Sequence, residues 1–403
     1  MIARHWLGLV LIWAPVSAFA VPSAPLDEFL RDGRYRDGIA AYASPAGNAE
    51  HFSLAVLQAL DGLQGFVAGL GDLGINPELA RSGIPFFRVA APPAEPASIA
   101  VATPETVAGL FRNLHAALRQ ANATLAAMDE EPFGVQVDVS QARMDLDGDG
   151  TVASNEMLLA SLGRPLGLAA LDPAGADVLI RFDNADAAWL KGYTHFLCGV
   201  LEILTAYDWM PVWNQCAHVV FRDPQPVPPI ASYAAPGRPR EMAQALDMIA
   251  ALHEMRLDLV RPDALRNARD EFRAMVGCSR ICWQRVLAET DDEHEWLPSP
   301  SQTGPGGARI TMPQIEGWRQ ILDEMDAILS GQKLLAHWRM KPGTGINLDK
   351  LVNSPPRLDL VLLVQGSALL PYLEEGPTSD QNTWRTLMQP FGPGFARFAI
   401  WSN

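Results

Sequence analysis

Lysine is scarce in this chain, which has only four lysines among its 31 basic residues, and cysteine also occurs only four times. Motifs of the common enzyme classes are missing. There is no Gly-x-Ser-x-Gly turn, no phosphate-binding loop, no dinucleotide fingerprint and no His-Glu-x-x-His pattern. Their absence removes the sequence grounds for assigning a serine hydrolase, a nucleotide-binding enzyme or a zinc protease of these types. We therefore lean against an enzyme.

The net charge of −15 disfavours nucleic acid and anionic membrane surfaces as partners. It suits a soluble protein that binds a cation. Hydrophobic residues make up 48% of the chain, which is enough to build a sizeable core.

The N-terminus has the three regions of a secretory signal. Arg4 supplies a positive charge, an apolar run follows at 6–13, and Ala18 and Ala20 give a small-x-small cleavage pattern. The run is shorter than the roughly 20 apolar residues that span a bilayer. We expect residues 1–20 to be a signal peptide, the mature protein to be periplasmic or secreted, and no membrane span to remain after cleavage.

An even number of cysteines in an oxidising compartment favours disulfides. Three pairings are possible, and proximity in sequence favours Cys198 with Cys216 and Cys278 with Cys282. The second pair would lie one helical turn apart and would need a bent turn. A zinc site is a weaker alternative, because Cys278-x3-Cys282 has no matching pair.

The fold class that we predict is mainly α (α+β). Apolar residues at three- and four-residue spacing predict helices over 48–71, 104–128, 185–207, 240–259 and 312–330. Alternation or β-branched runs predict strands near 135–139, 177–182, 360–364 and 395–401. We expect 21–403 to be one globular region whose two lobes meet at a proline-rich boundary near 224–239.

In the segment from Asp145 to Glu156, aspartates occupy every second position before a glycine. They are Asp145, Asp147 and Asp149, and Gly150 follows. Calcium takes six to eight oxygen ligands, and alternate side chains of a tightly curled backbone can all point inward. This segment resembles the calcium-binding loop of the EF-hand family over all twelve of its positions. The resemblance implies five calcium ligands, with Gly150 at the sharp turn; they are Asp145, Asp147, Asp149, the backbone carbonyl of Thr151, and Glu156.

The resemblance covers the loop and one flank. Ala153 stands where another ligand would, so water must fill that place, and the residues before the loop alternate like a strand. Asp183 to Asp186 is acidic but lacks the glycine and the final glutamate of a second loop. Calcium sensors use paired loops, so a single loop favours a structural clip over a regulatory switch.

Weak catalytic candidates lie on the predicted helix 185–207 and just after it. His195 and Glu202 would share one face with Cys198 between them, and Asp208 follows. A hydrogen-bonded histidine in a helix core is the more common arrangement. The tryptophans after residue 188 could stack on sugars, although large aromatics mostly fill cores.

These patterns together predict an exported calcium-binding protein in which one EF-hand-type loop stabilises a mainly helical fold with a small β element beside the loop. The alternative is a calcium-stabilised periplasmic hydrolase or an envelope or carbohydrate-binding protein. A pocket that collects several titratable groups would favour the enzyme.

Overall fold

The computed structural model describes residues 26–76, 99–146, 150–153, 156–158, 179–230 and 240–402. These residues form thirteen α-helices and eight short strands. The predicted signal peptide, residues 1–20, lies outside the described residues, as does 231–239 of the predicted boundary.

The helices occupy most of the described chain. They are α1 (Leu26–Arg31), α2 (Tyr35–Ala41), α3 (Asn48–Asp72), α4 (Pro104–Ala126), α5 (Asn184–Leu204), α6 (Met210–Val220), α7 (Arg240–Glu254), α8 (Ala264–Val286), α9 (Met312–Leu329), α10 (Leu348–Asn353), α11 (Leu360–Gln365), α12 (Gln381–Met388) and α13 (Phe395–Ser402). The prediction of a mainly α fold with small β elements is confirmed.

The strands are short and form three small sheets. They are β1 (Val135–Asp138), β2 (Leu179–Phe182), β3 (Arg256–Leu257), β4 (Leu334–Leu335), β5 (Thr344–Ile346), β6 (Leu358–Asp359), β7 (Leu373–Glu375) and β8 (Thr378–Ser379). β1 pairs antiparallel with β2, β3 pairs with β6, and the third sheet has the order β7-β5-β4-β8. In the first sheet Val137 lies opposite Ile180, and the strand leads towards the predicted calcium loop.

Helices α3 and α4 pack closely because small residues face one another between them. A Cβ added at Gly62 would lie 2.4 Å from the Cβ of Ala117, so no larger side chain fits there without movement. The start of α4 is fixed by Thr103, whose hydroxyl accepts the N–H of Thr106 at 3.1 Å, and by Pro104 in the first turn.

Helix α5 lies between α4 and α8 and joins the two halves of the described structure. Gly199 allows α8 to approach, since a Cβ there would lie 2.8 Å from the Phe272 ring. On the N-terminal side the core includes Phe52, Leu57 and Leu118, and on the other side it includes Trp283, Trp318 and several aliphatic residues.

Helix α3 is long and apolar enough to cross a membrane by length and composition. Phe52, Leu57 and Phe66 of this helix are buried among the other described helices. Its apolar character therefore fits a core helix of the fold seen here.

Two strand predictions are wrong. Residues 360–364 and 395–401 belong to helices α11 and α13. Short apolar runs do not distinguish a strand from a buried or packed helix. Asp359 decides the first case, because its carboxylate accepts the N–H of Leu362 at 2.9 Å and so caps α11.

The disulfide prediction is also wrong, because all four cysteines are free thiols. Cys278 and Cys282 both lie inside the regular helix α8, where residues four apart have Cβ atoms about 5–6 Å apart, beyond the roughly 3.5–4.5 Å of a disulfide. Cys198 on α5 is buried in the core of the protein. The Cys216 thiol on α6 donates to the Asp247 carbonyl at 3.1 Å. Burial raises the pKa of Cys198 to about 12, so this thiol is protonated and unreactive.

Candidate functional site

The predicted calcium loop is described at both ends and at its turn. Gly150 has a φ of 82°, a left-handed conformation that favours glycine, and its N–H donates to Asp145 Oδ2 at 3.0 Å. Thr151 follows and is exposed. The backbone thus curls back towards the first aspartate, as the sequence predicts. Asp147 and Asp149 lie outside the described residues.

Glu156 closes the loop. Its side chain is buried, and its two carboxylate oxygens accept backbone N–H groups from Leu146 and Ala153, each at 2.7 Å. The N–H of Met144 donates to the Glu156 carbonyl at 2.9 Å. The last residue of the loop is therefore held against its beginning.

Helices α1, α2 and α3 hold the loop from outside. The Arg143 N–H donates to the Leu30 carbonyl at 2.9 Å, and the Tyr35 hydroxyl donates to the Arg143 carbonyl. Gln64 of α3 accepts the N–H of Asp145 at 3.0 Å through its side-chain oxygen.

The second half of the loop packs against the segment between α1 and α2. A Cβ added at Gly33 would lie 2.5 Å from a methyl of Val152, so the loop packs closely against the turn between α1 and α2. The loop therefore shares one core with α1, α2 and α3, and we call these three helices and the loop the N-terminal lobe.

The prediction of a metal-binding group is wrong for the residues that the structure describes. Among the described residues, no three or more histidine, cysteine, aspartate or glutamate side chains are placed to hold a metal ion. Only Asp145 and Glu156 of the four predicted carboxylate ligands belong to the part of the chain that the structure describes. Asp145 and Glu156 each accept a backbone N–H group of the loop, on either side of the turn at Gly150.

Asp183 and Asp186 do not form a second loop. Asp183 caps α5 by accepting the N–H of Ala185 at 2.7 Å, and Asp186 accepts the N–H of Asp183 at 3.0 Å. These two carboxylates make a capping box at the start of the helix. Asp183 and Asp186 therefore do not provide a second calcium loop to pair with the Asp145–Glu156 segment.

His195 and Glu202, the weak catalytic candidates, lie on one face of α5 but bond to different partners. His195 Nδ1 lies 2.5 Å from Glu271 Oε2 on α8. Glu202 is buried, and its Oε2 accepts from Arg261 at 2.7 Å. We call these four residues, together with His115, the polar seam. The sequence places His195 and Glu202 on one face, but their partners come from distant segments.

His115 of α4 lies opposite Glu202, with Nε2 at 3.7 Å from Oε1. Burial lowers the pKa of His115, so this imidazole favours the neutral form. Asp208 is not part of the seam, because its carboxylate accepts the N–H of Met210 at 2.9 Å, just before α6 begins. The three candidates therefore have separate local roles.

A second cluster, which sequence reasoning missed, brings carboxylates together around the start of α5. Asp183, Asp186, Glu289 and Glu295 each have a raised pKa, caused mainly by burial and further by their mutual repulsion. For Glu289 the pKa is raised to about 7. We call these four residues the acid cluster. The sequence shows these acids only as two separate groups, near 183–186 and 289–295.

The tryptophans mostly fill the core. Trp283, Trp296 and Trp318 are buried, and Trp283 stacks on Phe398 with ring centroids 6.1 Å apart. Trp338, by contrast, is 75% exposed. This distribution favours packing over a continuous sugar-stacking surface among the described residues.

Comparison with known proteins gives no relative: no family model, no curated protein and no solved structure matches this chain.

Proposed function

We propose that this protein is an exported calcium-binding protein in which the Asp145–Glu156 loop takes up one calcium ion and thereby stabilises the helical N-terminal lobe. The observation that carries the proposal is the closure of the loop by Glu156, whose carboxylate accepts the N–H of Leu146 at 2.7 Å. A buried carboxylate at one end of the loop thereby meets the start of a run of aspartates.

The ligands of this proposal are the side chains of Asp145, Asp147, Asp149 and Glu156, with the carbonyl of Thr151. Calcium supplies a divalent charge that offsets the repulsion among four nearby carboxylates. Asp145 and Glu156 also stabilise the curled conformation of the loop, because their carboxylates accept backbone N–H groups of the loop.

The loop acts as a clip and not as a switch. Its flanks bond to α1, α2 and α3 through Leu30, Tyr35 and Gln64, so binding energy at the loop is transmitted to the packing of these helices. A sensor pair exposes a methionine-rich groove between helices when calcium binds. Here Met144, just before the loop, and Leu146, its second residue, are buried in the core.

A hydrolase is the weaker candidate. Its three sequence candidates have different partners. His195 pairs with Glu271, Glu202 pairs with Arg261, and Asp208 accepts the N–H of Met210. An active site needs these groups to converge on a shared reacting atom. A carbohydrate-binding role is weakened in the same way by the burial of Trp283, Trp296 and Trp318.

Thermal unfolding tests the clip. With extracellular-type dissociation constants of about 10⁻⁴–10⁻³ M, about 10 mM calcium stabilises the folded protein by roughly 1.4–2.7 kcal/mol. The expected result is a melting temperature several degrees higher in calcium than in chelator, and no such difference in the Glu156→Gln variant.

A matched control is Glu105→Gln, because Glu105 is an exposed carboxylate on α4, away from the loop. This variant should keep the full calcium-dependent difference. An identical melting curve of the unaltered protein in calcium and in chelator contradicts the proposal, and so does an equal loss of the difference in both variants.

A further inference from the structure

Exposed apolar side chains concentrate at one corner of the molecule, where α7 and α11 lie side by side. The two helices leave the same end of the antiparallel β3–β6 pair, in which Arg256 lies opposite Asp359. The Leu360 N–H donates to the Met255 carbonyl at 3.1 Å and holds the two helix ends together. We call the exposed apolar face of α7, with α11 and Trp338, the apolar corner.

Helix α7 packs on the fold through its opposite face. Asp247 faces α6, where its carbonyl accepts the Cys216 thiol at 3.1 Å and its carboxylate lies 3.3 Å from His218 Nε2. Ala251, one turn later, is buried. The face turned outward carries five large apolar side chains that are 45–66% exposed: Met242, Leu246, Met248, Ile249 and Leu252.

Helix α11 and Trp338 extend this surface. Val361, Leu362 and Val364 are exposed, and none of the residues of α11 is buried. The indole N–H of Trp338 donates to the Val364 carbonyl at 3.1 Å, so the ring is fixed to the end of α11 although it is 75% exposed. None of these nine side chains carries a charge.

The size of the surface matches one half of a stable dimer interface. Nine side chains of this kind, about half exposed, present roughly 500 Å² of apolar area. A standard interface takes about 800 Å² from each partner, of which about 65% is apolar in homodimers, so roughly 500 Å² is needed. This area lies towards the upper end of the roughly 300–600 Å² of the largest patch on a typical monomer, and patches of that rank are often functional.

Charges near the corner disfavour an anionic bilayer as its occupant. Arg256 is paired with Asp359 at 3.3 Å, Arg357 with Asp258 at 3.0 Å, and Lys341 with Glu375 at 2.6 Å. These three cations are paired with acids, whereas Arg339 lies over the Trp338 ring at 5.3 Å from its centroid. The chain as a whole carries −15. Membrane-surface helices combine their apolar face with many unpaired basic residues.

We propose that the apolar corner binds a second copy of this chain, so that two copies form a two-fold symmetric dimer through their α7 and α11 faces. The same surface on both copies suffices for such an isologous contact, which is the commonest symmetry of soluble oligomers. This inference is independent of the calcium loop.

Sedimentation equilibrium of the full chain tests the dimer. The unaltered protein is expected near twice 43.8 kDa at micromolar concentration. The double variant Leu246→Gln/Ile249→Gln should weaken association at least tenfold and sediment as a monomer. The single variant Val364→Gln, on the other helix, should weaken association as well and decides the matter if the double variant does not fold by circular dichroism.

Ile281→Gln is the matched control, because Ile281 is an exposed apolar residue of α8 outside the corner. This variant should remain dimeric. The proposal is overturned if the unaltered protein stays monomeric up to about 100 µM, well above the micromolar constants of weak interfaces. It is also overturned if folded corner variants remain dimeric, or if a monomeric protein binds phosphatidylcholine vesicles through this corner.

Discussion

The carboxylate of Glu156 accepts the backbone N–H of Leu146, ten residues earlier, at 2.7 Å. This bond brings the last residue of the acidic loop to its beginning, and the turn between them runs through Gly150 with a φ of 82°. Asp145 and Glu156 are thereby held at the two ends of one tight turn. Under our proposal, a divalent cation in this turn offsets the repulsion among the carboxylates that the sequence places there. The calcium proposal depends on this closure.

Gly150→Ala should weaken calcium binding. A Cβ at this position has open space around it, so the effect comes from the positive φ alone, which costs a residue with a side chain about 1–2 kcal/mol. We expect a roughly five- to thirtyfold loss of calcium affinity, measured by titration calorimetry. Gly343→Ala is the matched control, since Gly343 has a φ of 77° and equal space but lies far from the loop in sequence. Equal affinity in both variants would count against the loop.

Thiol titration should find four free cysteines in the denatured, unreduced protein. In the folded protein the reaction should be slow, because burial raises the pKa of Cys198, Cys216, Cys278 and Cys282. The measurement is the count of thiols labelled by a disulfide reagent with and without denaturant. A denatured protein without reactive thiols would show that the cysteines are paired.

Glu289→Gln should stabilise the protein at high pH. Burial raises the pKa of Glu289 from 4.5 to about 7, so its contribution to stability is fully present below pH 4.5 and is lost as pH rises through 7. The variant removes the charge that forms in this window. Because Glu289 is partly exposed, we expect a gain of only about 1 kcal/mol at pH 8 relative to pH 5.

Urea unfolding of the unaltered protein and the variant at both pH values measures this gain. Glu105→Gln, an exposed change on α4, serves as the control and should show no such pH-dependent difference. A variant whose advantage is the same at pH 5 and pH 8 would mean that Glu289 does not titrate in this range.

Glu202→Ala should destabilise the fold by about 1–3 kcal/mol. The buried carboxylate pairs with Arg261 at 2.7 Å, and its removal leaves a space between α4 and α5. Arg261 is partly exposed and can turn to water, which keeps the loss moderate. Urea unfolding measures the change. Asp208→Asn keeps a side-chain oxygen that can accept the Met210 N–H, and it should cost less than about 0.5 kcal/mol. Equal losses would show that the polar seam does not stabilise the fold.

The sequence predicts well those features that depend on neighbouring residues. The cap at Thr103, the turn at Gly150 and the strand at 135–138 all follow from local patterns. The prediction of a strand over 360–364 is wrong, because a short apolar run does not show whether its period is that of a strand or a helix. The cap by Asp359 favours the helix.

The candidate sites show the other limit. Glu271 is 76 residues from His195, and Glu202 lies opposite His115 from another helix, so their pairing depends on how α4, α5 and α8 pack. Cysteine spacing misled for a related reason. The compartment and the even number of cysteines favour disulfides, but the regular geometry of α8 keeps Cys278 and Cys282 apart.

Titration calorimetry of the full chain in metal-free buffer tests the central claim most directly. Adding calcium up to about 10 mM should release or absorb heat that fits one site with a dissociation constant of about 10⁻⁴–10⁻³ M or tighter, and the Glu156→Gln variant should lose this signal. Absence of any binding heat from the unaltered protein across this range, with the protein folded by circular dichroism, would contradict the calcium loop.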